Sequence, residues 1–161
     1  MNKSAVVRAI LDRLRADLLL HTRAAATARA EATDEQSKAE NKYDTRGLEA
    51  SYLARGQSRQ ATEIRTAMEH YEALLGSLNS GTAATTIGIG SLVELRTGRE
   101  KEFYFVGPKA GGLEVSVEDQ EVVVLSPQSP LGQRLLGHGS GEVLPPAEGE
   151  RAVARRIVAV S

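Results

Sequence analysis

The sequence predicts an α+β protein: an N-terminal antiparallel coiled-coil hairpin followed by a small antiparallel-sheet domain with one short helix. Apolar residues recur every three to four positions over residues 3–30 and again over about 45–79, which is the helical period. After residue 86 the period changes to two, which is typical of strands. A polar, acid-rich segment separates the two helical stretches. We therefore assign a finger to residues 1–79, a linker to 80–86 and the sheet domain to 87–161.

The first helical stretch has its apolar stripe on one face and contains no proline. The stripe is leucine-rich at its start and alanine-rich at its end, so the predicted seam between the helices becomes thinner along the finger. Its positions are Val6, Ile10, Leu14, Leu18, His21, Ala25, Ala28 and Ala32.

The second helical stretch has Gly47 and Gly56 inside it, each costing about 1 kcal/mol relative to alanine in a helix. At about 1.5 Å per residue, either stretch would form an arm on the order of 50 Å long. The apolar positions of this second stretch are Leu48, Tyr52, Ile64, Met68, Tyr71, Leu75 and Leu78.

The second half of the chain alternates short apolar runs with glycine and proline. The predicted strands are residues 91–96, 102–106, 113–117, 122–125, 142–144 and 153–160. A short helix is predicted at Pro130–Leu136, because Ser129 can cap it and proline is favoured at the first helical position.

Composition excludes several classes of protein. The chain has 20 basic and 21 acidic residues, so bulk attraction to nucleic acid or to an anionic membrane is not its main driving force. It has no cysteine, which excludes disulfides and thiolate metal sites. No signal-peptide core or apolar run of about 18 residues is present, so we expect a soluble, cytoplasmic protein with no membrane partner.

The acidic segment at residues 31–44 is the first candidate site. It contains Glu31, Asp34, Glu35, Glu40 and Asp44 against two lysines. Carboxylates at the end of an arm can hold a divalent cation, and Mg²⁺ often takes only one or two protein carboxylates. Such a tip can complete the metal site of another molecule, or it can be a solvated interhelical turn. The segment does not have the spacing of a calcium loop.

The chain resembles the bacterial Gre-type transcript-cleavage factors over nearly its whole length. The matching segments are IGIGSLV (87–93), SPLGQRLLG (129–137), the tail with EV (142–143) and RIVAV (156–160), KAENKY (38–43) in the finger and LEASYL (48–53) in the second helix. The resemblance implies a coiled-coil finger joined to an FKBP-like C-terminal domain. It is firmest in the C-terminal half.

The resemblance also implies a function. Gre-type factors bind bacterial RNA polymerase, with the C-terminal domain on the rim of the secondary channel and the finger inside it. Their tip acids help to position a second Mg²⁺ and a water, so that the polymerase cuts a backtracked RNA. By this resemblance the chain is a monomeric accessory factor, not an enzyme, that meets the RNA 3′ end only indirectly and joins the nucleoid through the polymerase. It binds no cofactor alone and shares Mg²⁺ with the polymerase.

Carried over by position, Glu40 matches a tip acid, and Asp44, Asp34 and Glu35 are further candidates. Glu40 and Asp44 are the expected ligands of the shared Mg²⁺. The family has its other tip acid three residues before Glu40, where this chain has Ser37.

The docking loop of the family maps to Gln128, Ser129 and Pro130. Arg46, Arg55 and Arg59 follow the acidic segment, where they form a solvated face or meet RNA phosphate.

Two alternatives stay open. The first is a secondary-channel binder that regulates transcription without stimulating cleavage, which Ser37 favours. The second is a peptidyl-prolyl isomerase with a coiled-coil arm, suggested by an FKBP-like domain. Such enzymes line their pocket with many aromatic side chains, whereas only Phe103, Tyr104 and Phe105 are available here, and strand alternation turns Tyr104 away from the other two.

Overall fold

The computed structural model describes residues 1–33, 46–78, 85–146 and 154–161, with Arg46 described through its backbone only. The chain divides into two compact units, one formed by Met1–Asp12 and Glu69–Ser161 and the other by Arg13–Met68. The predicted domain bounds at residues 79 and 87 stay a prediction, since residues 79–84 lie outside the described part. The predicted FKBP-like character of the sheet domain also stays a prediction.

Two long helices confirm the predicted helical stretches. Helix α1 spans Lys3–Thr33 and helix α2 spans Arg46–Leu78. Asn2 begins α1, because its side-chain oxygen accepts a hydrogen bond of 2.8 Å from the Ser4 amide and so caps a backbone donor. In the unit Arg13–Met68, α1 and α2 pack against each other through buried apolar side chains, most of them alanines. The buried positions there are Leu14, Ala25, Ala28, Ala54, Ala61, Ile64 and Ala67.

The packing of α2 differs from the predicted stripe near its N-terminal end. Leu48 and Tyr52 are 57% and 65% exposed, and Ala54 is buried instead. Buried Ala54 and Ala61 occupy the packing face of α2 here, and the larger Leu48 and Tyr52 side chains point away from it. Between the helices, Nδ1 of His21 lies 2.7 Å from Oε1 of Gln57, which fixes their relative register.

The second half of the chain forms a six-stranded sheet with the order β3-β4-β2-β1-β6-β5. The strands are β1 Leu92–Thr97, β2 Glu100–Val106, β3 Glu114–Val117, β4 Gln120–Leu125, β5 Val143–Leu144 and β6 Arg155–Val160. Helix α3 spans Pro130–Leu135. All the predicted strands and the short helix are present, with bounds within two residues of the predicted ones.

One strand pairing departs from the predicted antiparallel sheet: β2 and β4 are parallel, from Phe103 opposite Val122 to Val106 opposite Leu125. The chain leaves β2, reaches the outer position as β3, and returns between β3 and β2 as β4. The β3–β4 hairpin closes tightly because Glu118 and Asp119 both have positive φ, of 52° and 59°, which is the geometry of a two-residue type I′ turn.

The core of this domain lies between the sheet and α3. Its buried side chains are Ile87, Val93, Leu95, Val106, Leu135, Leu144 and Ile157. Within the unit Met1–Asp12 and Glu69–Ser161, a second cluster of buried side chains joins the C-terminal part of α2 to the sheet. Tyr71 of α2 is fully buried, its ring centroid lies 6.4 Å from that of Phe105, and its hydroxyl donates to the Lys109 carbonyl at 2.8 Å.

Candidate partner-binding site

The segment from Ser126 to Pro130 forms a tightly bonded loop before α3. The Ser129 side chain caps α3 by accepting from the Gly132 amide at 3.1 Å, and it donates to the Ser126 carbonyl at 2.8 Å. The Ser129 amide in turn donates to the Ser126 hydroxyl at 3.1 Å. Pro130 occupies the first helical turn, where its missing amide proton costs nothing. These bonds hold the loop in one conformation.

Gly132 makes this arrangement possible. A Cβ atom at residue 132 would lie 2.1 Å from the Ser126 carbonyl oxygen and 2.8 Å from the Ser129 Oγ atom. Only a glycine lets the first turn of α3 approach the loop this closely. The sequence pattern predicted the cap at Ser129 but gave no sign of the roles of Ser126 and Gly132, because both depend on a contact across the turn.

The loop presents part of its surface to solvent. Gln128 and Pro130 are exposed, whereas Ser129 is half-buried and serves the cap. Of the three predicted docking residues, two can therefore contact a partner directly, while Ser129 positions them. A rigid loop that offers an amide and a proline ring loses little conformational entropy on binding.

Residues 34–44 of the acidic segment lie outside the described residues. Asp34, Glu35, Glu40 and Asp44, the predicted tip acids, all fall there, and so does Ser37. Their predicted role as ligands of a shared Mg²⁺ stays a prediction. Across residues 1–33, 46–78, 85–146 and 154–161, no group of three or more histidine or acidic side chains is placed to hold a metal ion.

The arginines after the acidic segment have different surroundings. Arg55 is exposed and lines a groove between α1 and α2 together with Arg29, which the sequence reading had not singled out. Arg59 is exposed and its Nε lies 3.0 Å from Oε1 of Glu63, one helical turn away. An exposed pair of this kind is weak and can open when a phosphate competes for the arginine. The side chain of Arg46 is outside the described part of the chain.

Two of the three aromatic residues of β2 have different surroundings. Phe105 is buried against Tyr71, and the Tyr104 hydroxyl donates to Glu102 at 3.1 Å. Burial raises the pKa of Tyr104, and the nearby Glu102 carboxylate raises it further. This arrangement gives no support to the isomerase alternative.

None of the helices in the described part of the chain is both long enough and apolar enough to cross a membrane.

The chain was compared with protein families, curated proteins and solved structures. Neither a protein-family model nor a curated protein sequence matches the chain. The chain is similar to the crystal structure of GreA factor homolog 1 (Gfh1) of Thermus thermophilus, at 25% identity, covering 98% of this chain and 94% of that one, with a TM-score of 0.36. It is similar to Gfh1 of Thermus aquaticus at 24% identity, covering 99% and 96%, with a TM-score of 0.37. It is also similar to the transcription elongation factor GreA/GreB from Nitrosomonas europaea at 22% identity, covering 56% and 78%, with a TM-score of 0.37.

Proposed function

We propose that this chain is a Gre-like accessory factor of bacterial RNA polymerase, acting as a monomer in the bacterial cytoplasm. In this proposal the sheet domain docks on the rim of the secondary channel through the loop at Gln128–Pro130, and the helical finger enters the channel. The observation that carries the proposal is the loop itself. One of the segments that match the Gre-type pattern, residues 129–137, begins with Ser129 and Pro130 in this hydrogen-bonded, partly exposed loop ahead of α3.

The tip acids would then act at the polymerase active centre. Glu40 and Asp44 would bring carboxylate oxygens, the ligand type that Mg²⁺ prefers, with Asp34 and Glu35 as further candidates. The bound ion would polarise the phosphate and activate a water, and the polymerase would perform the cleavage. On this proposal the chain supplies ligands and has no active site of its own. Arg55 and Arg59 would lie where they can meet RNA phosphate.

A second candidate function is a secondary-channel regulator that does not stimulate cleavage. The specific observation in its favour is Ser37, which stands where the Gre-type pattern has a second tip acid. A hydroxyl is a weaker and uncharged ligand for a hard divalent cation. A factor of this type would occupy the channel without completing a metal site.

A transcript-cleavage assay on a stalled, backtracked elongation complex separates the two candidates. We expect the full chain to accelerate cleavage, and Glu40→Ala with Asp44→Ala to abolish the acceleration while retaining polymerase binding. Glu31→Ala, which removes an exposed acid of α1, is the matched control and should keep the activity. Binding without cleavage by the unmodified chain would establish the regulator instead.

Competition binding to the polymerase tests the docking loop separately. Gln128→Lys should weaken binding, because it places a positive charge where the Gre-type pattern often has an acid or an amide, and Pro130→Ala should weaken it by loosening the loop. Gln120→Lys introduces the same charge at an exposed position at the start of β4 and serves as the control. Equal affinities for Gln128→Lys, Gln120→Lys and the unmodified chain would remove this loop from the interface.

A further inference from the structure

A row of side chains crosses four adjacent strands on one face of the sheet, and the side chains on three of these strands are charged. Arg96 of β1 is directly opposite Lys101 of β2 on one side and Arg156 of β6 on the other. Arg156 is in turn opposite Val143 of β5. Three cations therefore occupy neighbouring positions in one row.

A β-bulge produces this row. The pairing of β1 with β6 shifts between Glu94 and Leu95, where Glu94 faces Ala159 but Leu95 faces Ile157. Without the shift, Arg96 would face Ile157. The extra residue on β6 thus places one arginine against another, although like charges directly opposite each other destabilise a sheet. Bulges often re-aim side chains at functional positions.

The charge of the row is only partly neutralised. Lys101 Nζ lies 3.2 Å from Glu94 Oε1, which is close enough for an ion pair. The two groups do not have the geometry of a hydrogen bond. Neither Arg96 nor Arg156 has an ion-pair partner among the residues that the structure describes, and both are exposed. Two adjacent guanidinium groups are therefore left to attract an anion.

A shallow pocket of about 260 Å³ lies at the two arginines. Its lining consists of Arg96, Gly98, Val143, Ala154 and Arg156. The guanidinium fork matches an oxyanion in two parallel hydrogen bonds, which a lysine does not. Val143 is 48% exposed and, with Ala154, gives the pocket an apolar side next to its cationic side.

We propose that this pocket binds an acidic peptide segment of a partner protein, with a glutamate or aspartate carboxylate between Arg96 and Arg156 and a neighbouring apolar side chain on Val143 and Ala154. Because the pocket has a cationic side next to an apolar side, it favours a peptide over a nucleic acid. The two arginines are too few for the multiple phosphate contacts from which nucleic-acid affinity arises, and the lining of the pocket includes no aromatic side chain for base stacking. The inference does not depend on which protein supplies the segment.

The test uses the full chain, labelled with ¹⁵N, and the blocked peptide acetyl-Leu-Glu-Glu-Leu-amide as the probe. We expect saturable shifts of the Gly98 and Ala154 amides and of the Arg96 and Arg156 side-chain Nε–H signals. The glutamine analogue of the peptide should bind at least about tenfold more weakly, because it lacks the charge-assisted hydrogen bonds. Arg96→Gln should cause a similar loss, and Arg96→Lys a partial one.

Arg99→Gln is the matched control, since it removes an equal charge from an exposed residue outside the pocket. Equal losses of peptide affinity for Arg99→Gln and Arg96→Gln would mean that only the net charge of the chain matters, and would overturn the proposal. Tighter binding of a thymidine oligonucleotide than of the peptide at these residues would also overturn it, in favour of a phosphate site. So would the absence of shifts at Gly98 and Ala154 at millimolar peptide.

Thermal unfolding gives a second, independent readout. Because the opposed arginines repel each other when no anion is bound, Arg96→Gln should raise the midpoint of unfolding by about 1 to 3 °C, whereas Arg99→Gln should leave it unchanged. Addition of the acidic peptide should raise the midpoint of the unmodified chain but not that of Arg96→Gln. A lower midpoint for Arg96→Gln would mean that the chain already neutralises the pair, and the proposal would fail.

Discussion

The substitution Gly132→Ala tests the packing of the loop at Ser126–Pro130 against α3, because two physical effects oppose each other at this position. Alanine is the better helix former, by about 1 kcal/mol, so helix propensity alone predicts a gain in stability. The added Cβ would instead lie 2.1 Å from the Ser126 carbonyl oxygen. Carbon and oxygen atoms rarely approach closer than about 3.3 Å, so the carbonyl would have to retreat by about 1 Å.

The free-energy cost of displacing the Ser126 carbonyl is the sum of two contributions. The Ser126 carbonyl accepts from both the amide and the hydroxyl of Ser129, and each hydrogen bond contributes about 0.5 to 1.5 kcal/mol. Overpacking a tight contact costs about 1 to 3 kcal/mol more. After subtraction of the propensity gain, we expect Gly132→Ala to lower the free energy of unfolding by about 3 kcal/mol.

The matched control is Gly76→Ala. Gly76 lies in α2, and a Cβ there would have no atom within 4 Å. This substitution should raise stability by about 0.5 to 1 kcal/mol, chiefly by restricting the unfolded chain. Urea unfolding followed by tyrosine fluorescence measures both variants. If Gly132→Ala were as stable as the unmodified chain, the carbonyl would be free to move and the loop could not be considered rigid.

Three further predictions concern the rest of the sheet domain. Tyr71→Phe removes the hydrogen bond to Lys109 and should lower the free energy of unfolding by about 1 kcal/mol at neutral pH. Burial raises the pKa of Tyr71 above its usual 10.0, so the unmodified chain should lose stability as pH rises above about 10, by up to about 1.4 kcal/mol per pH unit. In urea titrations at alkaline pH, the difference in free energy of unfolding between the unmodified chain and Tyr71→Phe should therefore close. Gly107→Ala would bring a Cβ within 2.0 Å of the Tyr71 hydroxyl oxygen and should be strongly destabilising. In a double-mutant cycle, Tyr71→Phe should partly restore the stability lost in Gly107→Ala, because it removes the clashing oxygen. Additive losses of stability for the two substitutions would contradict that geometry. The hydrogen bond from His138, and then that from the Gly139 amide, lowers the pKa of Glu142 below its usual 4.5, so its contribution is present above pH 4.5 and is lost as pH falls below it. The stability difference between Glu142→Gln and the unmodified chain should therefore shrink in acid, and a difference independent of pH would refute this role.

The sequence allowed prediction of those elements whose signals are local. The periodic stripes located α1 and α2, and the pair Ser129–Pro130 located the start of α3, because capping and proline geometry act within one turn. The parallel pairing of β2 with β4 could not be predicted, since it depends on where β3 goes after leaving β2. The burial of Tyr71 against Phe105 likewise depends on tertiary contact.

The candidate sites show the same division. Gln128 and Pro130 were predicted by resemblance, and the structure places both at the surface of one loop. The neighbouring Arg96 and Arg156 are 60 positions apart in the chain, and only the bulge in β6 brings them opposite each other. A bulge cannot be predicted from the periodicity of the sequence. The predicted acids at Glu40 and Asp44 stay predictions.

The change from large to small side chains along α1 implies a gradient of local opening in the helical hairpin. Near its start α1 buries Val6, Ile10 and Leu14, whereas Ala25 and Ala28 take the corresponding positions further along. Each buried alanine in place of a leucine contributes three fewer carbon atoms, or about 2 kcal/mol less burial free energy. Amide hydrogens late in α1 should therefore exchange with solvent at a lower free energy than those at its start. The part of α1 closest in sequence to the acidic segment is then the part that can unwind and re-form while the sheet domain stays folded.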